Sequence, residues 1–219
     1  MPVQFHDAKF RQLSADELSK WSGAETAAVS DCLERSMAMD GGISPIADEM
    51  RIVGQARTVR CMVGDNSALH AAITLARPGE VLIADAGGFL GTAVWGGLMT
   101  HAAKRQGVAG LIIDGAVRDR SEIVELDFPC YARGLVPAGP HKAFGGAIDC
   151  PVNCGGVAVR PGDLVIADSD GVTIIPLERV EETWEAYQQL KEKEAKALSA
   201  LESGGTLGEI YGVPEIIRV

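Results

Sequence analysis

Two segments of the chain carry residues whose types and spacing can do chemistry. One is Asp114-Gly-Ala-Val-Arg118-Asp119, directly after the apolar run Leu111-Ile112-Ile113. A strand ending there projects Arg118 and Asp119 from its C-terminal edge. Arginine grips a carboxylate with two parallel hydrogen bonds, and one Asp with water completing the shell is an ordinary way to hold Mg²⁺. Taken alone, these residues better suit a local ion pair with Asp119 capping the next helix. The other segment is Gly-rich and runs from Asp85 to Thr100. Its Gly96-Gly97 pair leads into a helix, so the amides of Leu98 and Met99 are expected to be unpaired first-turn donors. Such donors, at the positive end of the helix dipole, hold carboxylates or phosphates. The glycines serve as well for a tight turn that packs strand against helix. The segment lacks the Gly-Lys-Ser/Thr of a P-loop and the spacing of a dinucleotide fingerprint. Considered together, two anion-binding elements beside one carboxylate suit a metal-bound 2-oxo acid.

Other candidates are weaker. In Gly64-Asp65-Asn66, Asp65 or Asn66 is expected to cap a helix, and His70 one turn later reads as an ordinary polar side chain. His101 reads the same way on an exposed helix face, and the histidines form no cluster. Cys150 and Cys154 are close, with no second pair or nearby His to complete a zinc set. Glu185, Glu192, Glu194 and Glu202 read as the solvated face of a C-terminal helix, whose length invites docking on another subunit.

The elements that must position these groups follow from capping and periodicity. Ser14 with Glu17 is a capping box, which starts a short helix over 14–21. Ala28, Val29, Cys32 and Leu33 recur at helical spacing, giving a second helix over 25–36. From Ile52 to Val63 the chain is rich in β-branched residues and reads as a strand with a turn or bulge near Gly54. A helix follows to Ala76, then a short strand over 81–84, a loop at Gly87-Gly88, and a helix from Leu98 to Gln106 stopped by Gly107. Strand 111–113, a helix to about Leu126 and strand 128–132 complete two turns of a strand–loop–helix repeat. This predicts a parallel α/β core with its site at the C-terminal ends of the strands. Residues 157–159, 164–167 and 172–175 are short strands separated by Pro161-Gly162-Asp163 and Asp168-Ser169-Asp170-Gly171, forming a β-rich layer. A charged helix covers 177–202. No linker interrupts the 219 residues, so one domain is expected: helices over 14–45, an α/β core over 52–176, and a C-terminal helix and tail over 177–219.

Bulk composition narrows the function. Hydrophobic residues make up 47% of the chain, enough for a sizeable core, while aromatics are only 5% and offer no base-stacking surface. The formal net charge is −10, which disfavours a phosphate-backbone ligand and requires a local cationic pocket for any anionic substrate. Neither nucleic acid nor membrane is an expected partner. The N-terminus lacks the regions of a signal peptide, and no apolar run approaches a membrane span. Five cysteines at scattered spacings suggest reduced thiols and a cytoplasmic setting. No Gly-rich loop followed by a ribose-binding acid supports a methyltransferase.

The ordered set Gly64-Asp65-Asn66, Gly87-Gly88, Trp95-Gly96-Gly97-Leu98-Met99, Asp114-Gly-Ala-Val-Arg118-Asp119, Phe128-Pro129 with Ala132-Arg133-Gly134, Gly155-Gly156-Val157 and Pro161-Gly162-Asp163 through Val172 resembles the RraA-like family. That family includes the 4-hydroxy-4-methyl-2-oxoglutarate/4-carboxy-4-hydroxy-2-oxoadipate aldolases. The resemblance spans roughly residues 20 to 212. It implies an α/β/β swivelling-type fold assembled as a homotrimer or homohexamer. It also implies cleavage of such 2-oxo acids to pyruvate with Mg²⁺ or Mn²⁺, and decarboxylation of oxaloacetate. By this resemblance Asp119 is the direct metal ligand, and Arg118 holds the substrate carbonyl and the developing enolate. Gly96, Gly97, Leu98 and Met99 bind the pyruvyl carboxylate, and Glu194 completes the metal shell from a neighbouring subunit. Active members often carry an acid separated from the Arg-Asp pair by twenty positions; here that residue is Gly97. Asp85 is a candidate substitute. The alternative reading is a non-catalytic, protein-binding regulator of the ribonuclease E inhibitor type.

Overall fold

The computed structural model describes residues 1–218. The chain opens with β1 (Val3–Phe5), α1 (Ala15–Lys20), α2 (Thr26–Cys32), β2 (Ser44–Pro45) and β3 (Ile52–Cys61). Strict alternation follows: α3 (Ser67–Leu75), β4 (Glu80–Trp95), α4 (Gly97–Gln106), β5 (Gly110–Val117), α5 (Arg120–Glu125) and β6 (Cys130–Leu135). The β-rich stretch comprises β7 (Gly146–Ile148), β8 (Val152–Cys154), β9 (Val157–Val159), β10 (Leu164–Asp168) and β11 (Gly171–Ile175). A short 3₁₀ turn leads into α6 (Val180–Glu202), and α7 (Leu207–Tyr211) ends the described elements.

Strands β3, β4, β5 and β6 pair in parallel in that order. Their central residues, Val81 to Ala84 and Leu111 to Ile113, are fully buried, as expected of continuous apolar runs covered on both faces. Helices α3, α4 and α5 pack on one face through Leu69, Ala72, Ala103 and Ile123. On the other face lie β8 to β11, contributing Val152, Val157, Val165 and Ile174. Outside those, Trp21, Val29 and Leu33 of the N-terminal helices meet Val180 and Tyr187 of α6 over β10 and β11. The layers therefore run helix, a sheet with a parallel centre, and a second β layer that β10 joins to β3 by antiparallel pairing, with the helical ends of the chain outermost. This is the expected α/β/β arrangement.

Local chemistry fixes several boundaries. Ser14 and Glu17 form the complete capping box that starts α1. Gly107 ends α4 at φ 81°, the left-handed conformation that favours glycine. Three expectations need correction. β3 runs unbroken through Gly54, whose role is close approach: a Cβ there would lie 2.5 Å from the Gly79 carbonyl oxygen. The second helix stops at Cys32, because Glu34 and Arg35 take positive φ. Gly87-Gly88 is no loop between elements but an irregularity inside the long β4, which resumes pairing with β5 at Phe89, Ala93 and Trp95.

Candidate active site

The C-terminal ends of β4 and β5 meet the start of α4 at one point. The Arg118 amide donates to the Trp95 carbonyl at 3.0 Å, tying the two strand ends together. Trp95 is itself locked: its indole donates to Thr100 Oγ1 at 2.8 Å, and its ring stacks on Phe128. Asp119 then adopts φ 60°, ψ 38°, a left-handed conformation that Asp tolerates better than most residues. That turn aims its carboxylate at α4, where Oδ2 accepts from the Gly97 amide at 3.0 Å. Arg118 Nε lies 3.6 Å from the same oxygen. Both side chains are about half exposed, at 42% and 43%.

The two glycines are there for space. A Cβ on Gly96 would sit 2.5 Å from Asp119 Oδ2, and one on Gly97 would sit 1.8 Å from Glu122 Oε2. The volume over Gly97 is thus filled by the Glu122 carboxylate, one helical turn beyond Asp119 on α5. Two carboxylates and an arginine converge at the start of α4. His101 Nε2 lies 3.2 Å from Glu122 Oε1, so this histidine touches the site from the outer side of α4.

The expected amide pocket is half present. The Met99 amide donates back to the Gly96 carbonyl at 3.1 Å, and the Gly97 amide is taken by Asp119. Both are therefore spent inside the protein, because the first turn tightens and the Asp119 side chain reaches it. Only the Leu98 amide is left without a partner among the described residues at this turn, and the Leu98 side chain is 86% exposed beside it. Glu194 does not join Asp119 within the chain. It lies on α6, paired with Lys191 at 2.8 Å, and lines a separate groove with Ala197 and Tyr211. Asp85 faces elsewhere, accepting from the Gly87 amide, and is not a lining residue of the cavity.

A cavity of about 240 Å³ opens over this point, lined by Arg118, Asp119 and Glu122 on one side, Trp95 to Met99 beneath, and Asn66, His70, Pro140 and Lys142 on the other. His70 has its pKa lowered, first by burial and then by the nearby Lys142 charge. The Asp119–Glu122 pair fits a hard, water-rich divalent cation: Asp119 Oδ1 makes no hydrogen bond among the described residues, and Glu122 holds only the His101 ring. Among the described residues no third His, Cys, Asp or Glu gathers with them, so water and substrate oxygens would supply the remaining positions. Glu122 is the residue that counting back from the Arg-Asp pair misses. Counting forward, Arg118-Asp119-x-x-Glu122 at a helix start would have found it, since residues three apart share a face.

An α/β/β sandwich with an arginine and paired carboxylates at its parallel strand ends defines the class. The family description Aldolase/RraA matches residues 26–174, and the chain belongs to the RraA-like family. A relative from Halalkalibacterium halodurans, named provisionally for 4-hydroxy-4-methyl-2-oxoglutarate aldolase activity, is 38% identical over 84% of this chain and 86% of its own. The 4-hydroxy-4-methyl-2-oxoglutarate aldolase of Thermus thermophilus is 33% identical over 70% of this chain and 93% of its own. The crystal structure of Streptomyces coelicolor RraAS2, a member of the RNase ES inhibitor RraA family, superposes with TM-score 0.76 at 26% identity, covering 87% of this chain and 98% of that one.

Proposed function

We propose that the chain is a divalent-metal-dependent carbon–carbon lyase that cleaves 4-hydroxy-4-methyl-2-oxoglutarate-like 2-oxo acids to pyruvate and decarboxylates oxaloacetate. The observation that carries this reading is the convergence of Asp119, Glu122 and Arg118 over the start of α4, where Glu122 supplies the carboxylate that Gly97 lacks. Asp119 and Glu122 would hold Mg²⁺ or Mn²⁺, which when bound acts as a Lewis acid on the 2-oxo group. Arg118 binds the oxo oxygen and stabilises the negative charge that develops there as the bond beyond C3 breaks. The free Leu98 amide, at the positive end of α4, meets the C1 carboxylate. Trp95 and Met99 form the floor beneath this arrangement. Both reactions leave the same three-carbon fragment, so one set of groups serves both. Glu194 from a neighbouring subunit would add a further carboxylate if α6 crosses between copies.

The experiment is pyruvate release from 4-hydroxy-4-methyl-2-oxoglutarate and from oxaloacetate. Excess chelator is expected to abolish it and Mg²⁺ to restore it. Arg118→Lys, which loses the planar fork, is expected to lower turnover at least about tenfold. Turnover that survives chelation sinks the metal-dependent reading. A protein inert on both substrates with Mg²⁺, yet able to inhibit a ribonuclease E type enzyme, would support the regulator reading that the RraAS2 likeness favours.

A further inference from the structure

His101 reads from the sequence as an ordinary polar side chain on an exposed helix face, yet it meets the site at one atom. Its Nε2 lies 3.2 Å from Glu122 Oε1, and among the described residues Glu122 has no other side-chain hydrogen bond or ion pair. Gly97 and His101 stand four residues apart on α4, so they share one face, one turn from each other. Gly97 makes the space that the Glu122 carboxylate enters. A Cβ on Gly97 would lie 1.8 Å from Oε2 and 2.7 Å from Oε1. Oε2 is thus the oxygen set deepest over the glycine, and Oε1 is the one turned to the histidine.

A tie between two helices is the plainer account of such a pair, but α4 and α5 already have two ties. At one end the Gly97 amide donates to Asp119 Oδ2 at 3.0 Å. At the other, Lys104 Nζ donates to the Leu126 carbonyl. His101 lies between these anchors and is not needed to dock the helices. What it adds is confined to the Glu122 carboxylate, which is 46% exposed and, left alone, would move among several rotamers. A pair this exposed contributes little to stability. Fixing which carboxylate oxygen faces the site is a separate effect.

Resting on the lyase reading, we infer that His101 is a positioning residue of the site: it holds Oε1 of Glu122 and leaves Oε2, over Gly97, as the oxygen offered to a divalent cation. The hold needs a proton on Nε2 and no charge on the ring, since the neutral tautomer with that proton already donates. One turn of α4 then carries both the glycine that makes room and the histidine that keeps the incoming acid in place. Losing a hydrogen-bond partner of a metal-binding side chain commonly costs about 10–100-fold in metal affinity. With His101 and Glu122 both half exposed, the low end of that range applies.

Cation binding separates this inference from the lyase reading. The probe is Mn²⁺ alone, titrated calorimetrically into the whole 219-residue chain. His101→Ala is expected to weaken Mn²⁺ binding about tenfold. His101→Gln, which brings an amide N–H to a similar reach, is expected to restore most of that affinity. Wild-type affinity in His101→Ala, or a Gln variant as weak as the Ala variant, overturns the positioning role and leaves the lyase reading standing. A wild type that binds no Mn²⁺ overturns both.

Discussion

Glu122 and the side chain that position 97 lacks would occupy the same volume. Gly97 is helical and not in the left-handed region, so an added side chain meets no backbone strain. It meets the Glu122 carboxylate instead. Gly97→Asp is therefore expected to lower pyruvate release by about tenfold or more, since two ionised carboxylates in one space repel and misplace each other. Glu122→Ala alone is expected to lower it too. The double variant Gly97→Asp/Glu122→Ala is expected to exceed the Glu122→Ala single, because the acid returns from the other helix. Steady-state turnover of the three variants checks this. A gain from Gly97→Asp with Glu122 intact would show that the two acids do different work. At this scale the sequence carried Arg118, Asp119 and the glycine pair legibly, since residue type and spacing alone name them. It did not reveal that the Met99 and Gly97 amides are consumed internally. For Gly97 that depends on where the Asp119 side chain points, which its left-handed backbone decides; for Met99 it depends on the first turn of α4 tightening onto the Gly96 carbonyl.

Among the elements, the start of α3 and the loop before β7 stand or fall together. Asp65 joins them by accepting the amides of Ser67, Ala143 and Phe144. Burial pushes its pKa up, but these hydrogen bonds together outweigh burial and leave it below the ordinary carboxylate value. A depressed folded-state pKa contributes stability that is fully present above the unfolded value, near 3.9, and is lost as pH falls through the folded one. Asp65→Asn keeps the shape but halves the accepting oxygens. It is expected to cost about 1–3 kcal/mol, read as a drop of several degrees in Tm at neutral pH. The gap between wild type and variant is expected to narrow in acid. A gap independent of pH would mean that the carboxylate charge contributes nothing. Helices with caps were readable from sequence because a cap is a local bond, as Ser14 with Glu17 shows. Strands were less so: β1 pairs with β7, more than a hundred residues away, and β4 continues past its glycines only because β5 lies alongside. Pairing of that kind leaves no mark on neighbouring residues.

Several large apolar side chains stay exposed on the whole molecule. Val63, Phe89, Leu90 and Leu135 stay 40–60% exposed near one edge, where Val63 approaches Gly87, Phe89 approaches Gly64 and Leu90 approaches Gly134. Further out, Leu198, Tyr211, Val213 and Ile216 leave the C-terminal arm apolar and uncovered. Exposed apolar surface of this kind marks contact with another protein surface. We propose a trimer or its doubled form, so light scattering is expected to give three or six times the 23.0 kDa chain mass. A Leu90→Asp change is expected to lower the mass. A monomer that is fully active at low concentration would contradict the assembly and the role of Glu194 with it. Among the described residues no helix is long and apolar enough to cross a membrane.

The clamped loop has a consequence for how such a protein diversifies. Its attachments at Ala138, His141, Ala143 and Phe144 are all backbone groups, held by Ala93, Gly64, Asn66 and Asp65. Among the side chains between those anchors Lys142 is free to change without loosening the frame, whereas Gly139 must stay small, since a Cβ there would lie 2.9 Å from Arg118 Nη1. The groups to which we assign bond breaking, Arg118, Asp119 and Glu122, sit on other elements, at the end of β5 and the start of α5. If the chain is the lyase proposed, the wall of the cavity and the groups that cleave are inherited as separate modules. A lineage could exchange Pro140 to Lys142, whose outer residues line the cavity, as a cassette, trading one diet for another while its reaction stayed the same.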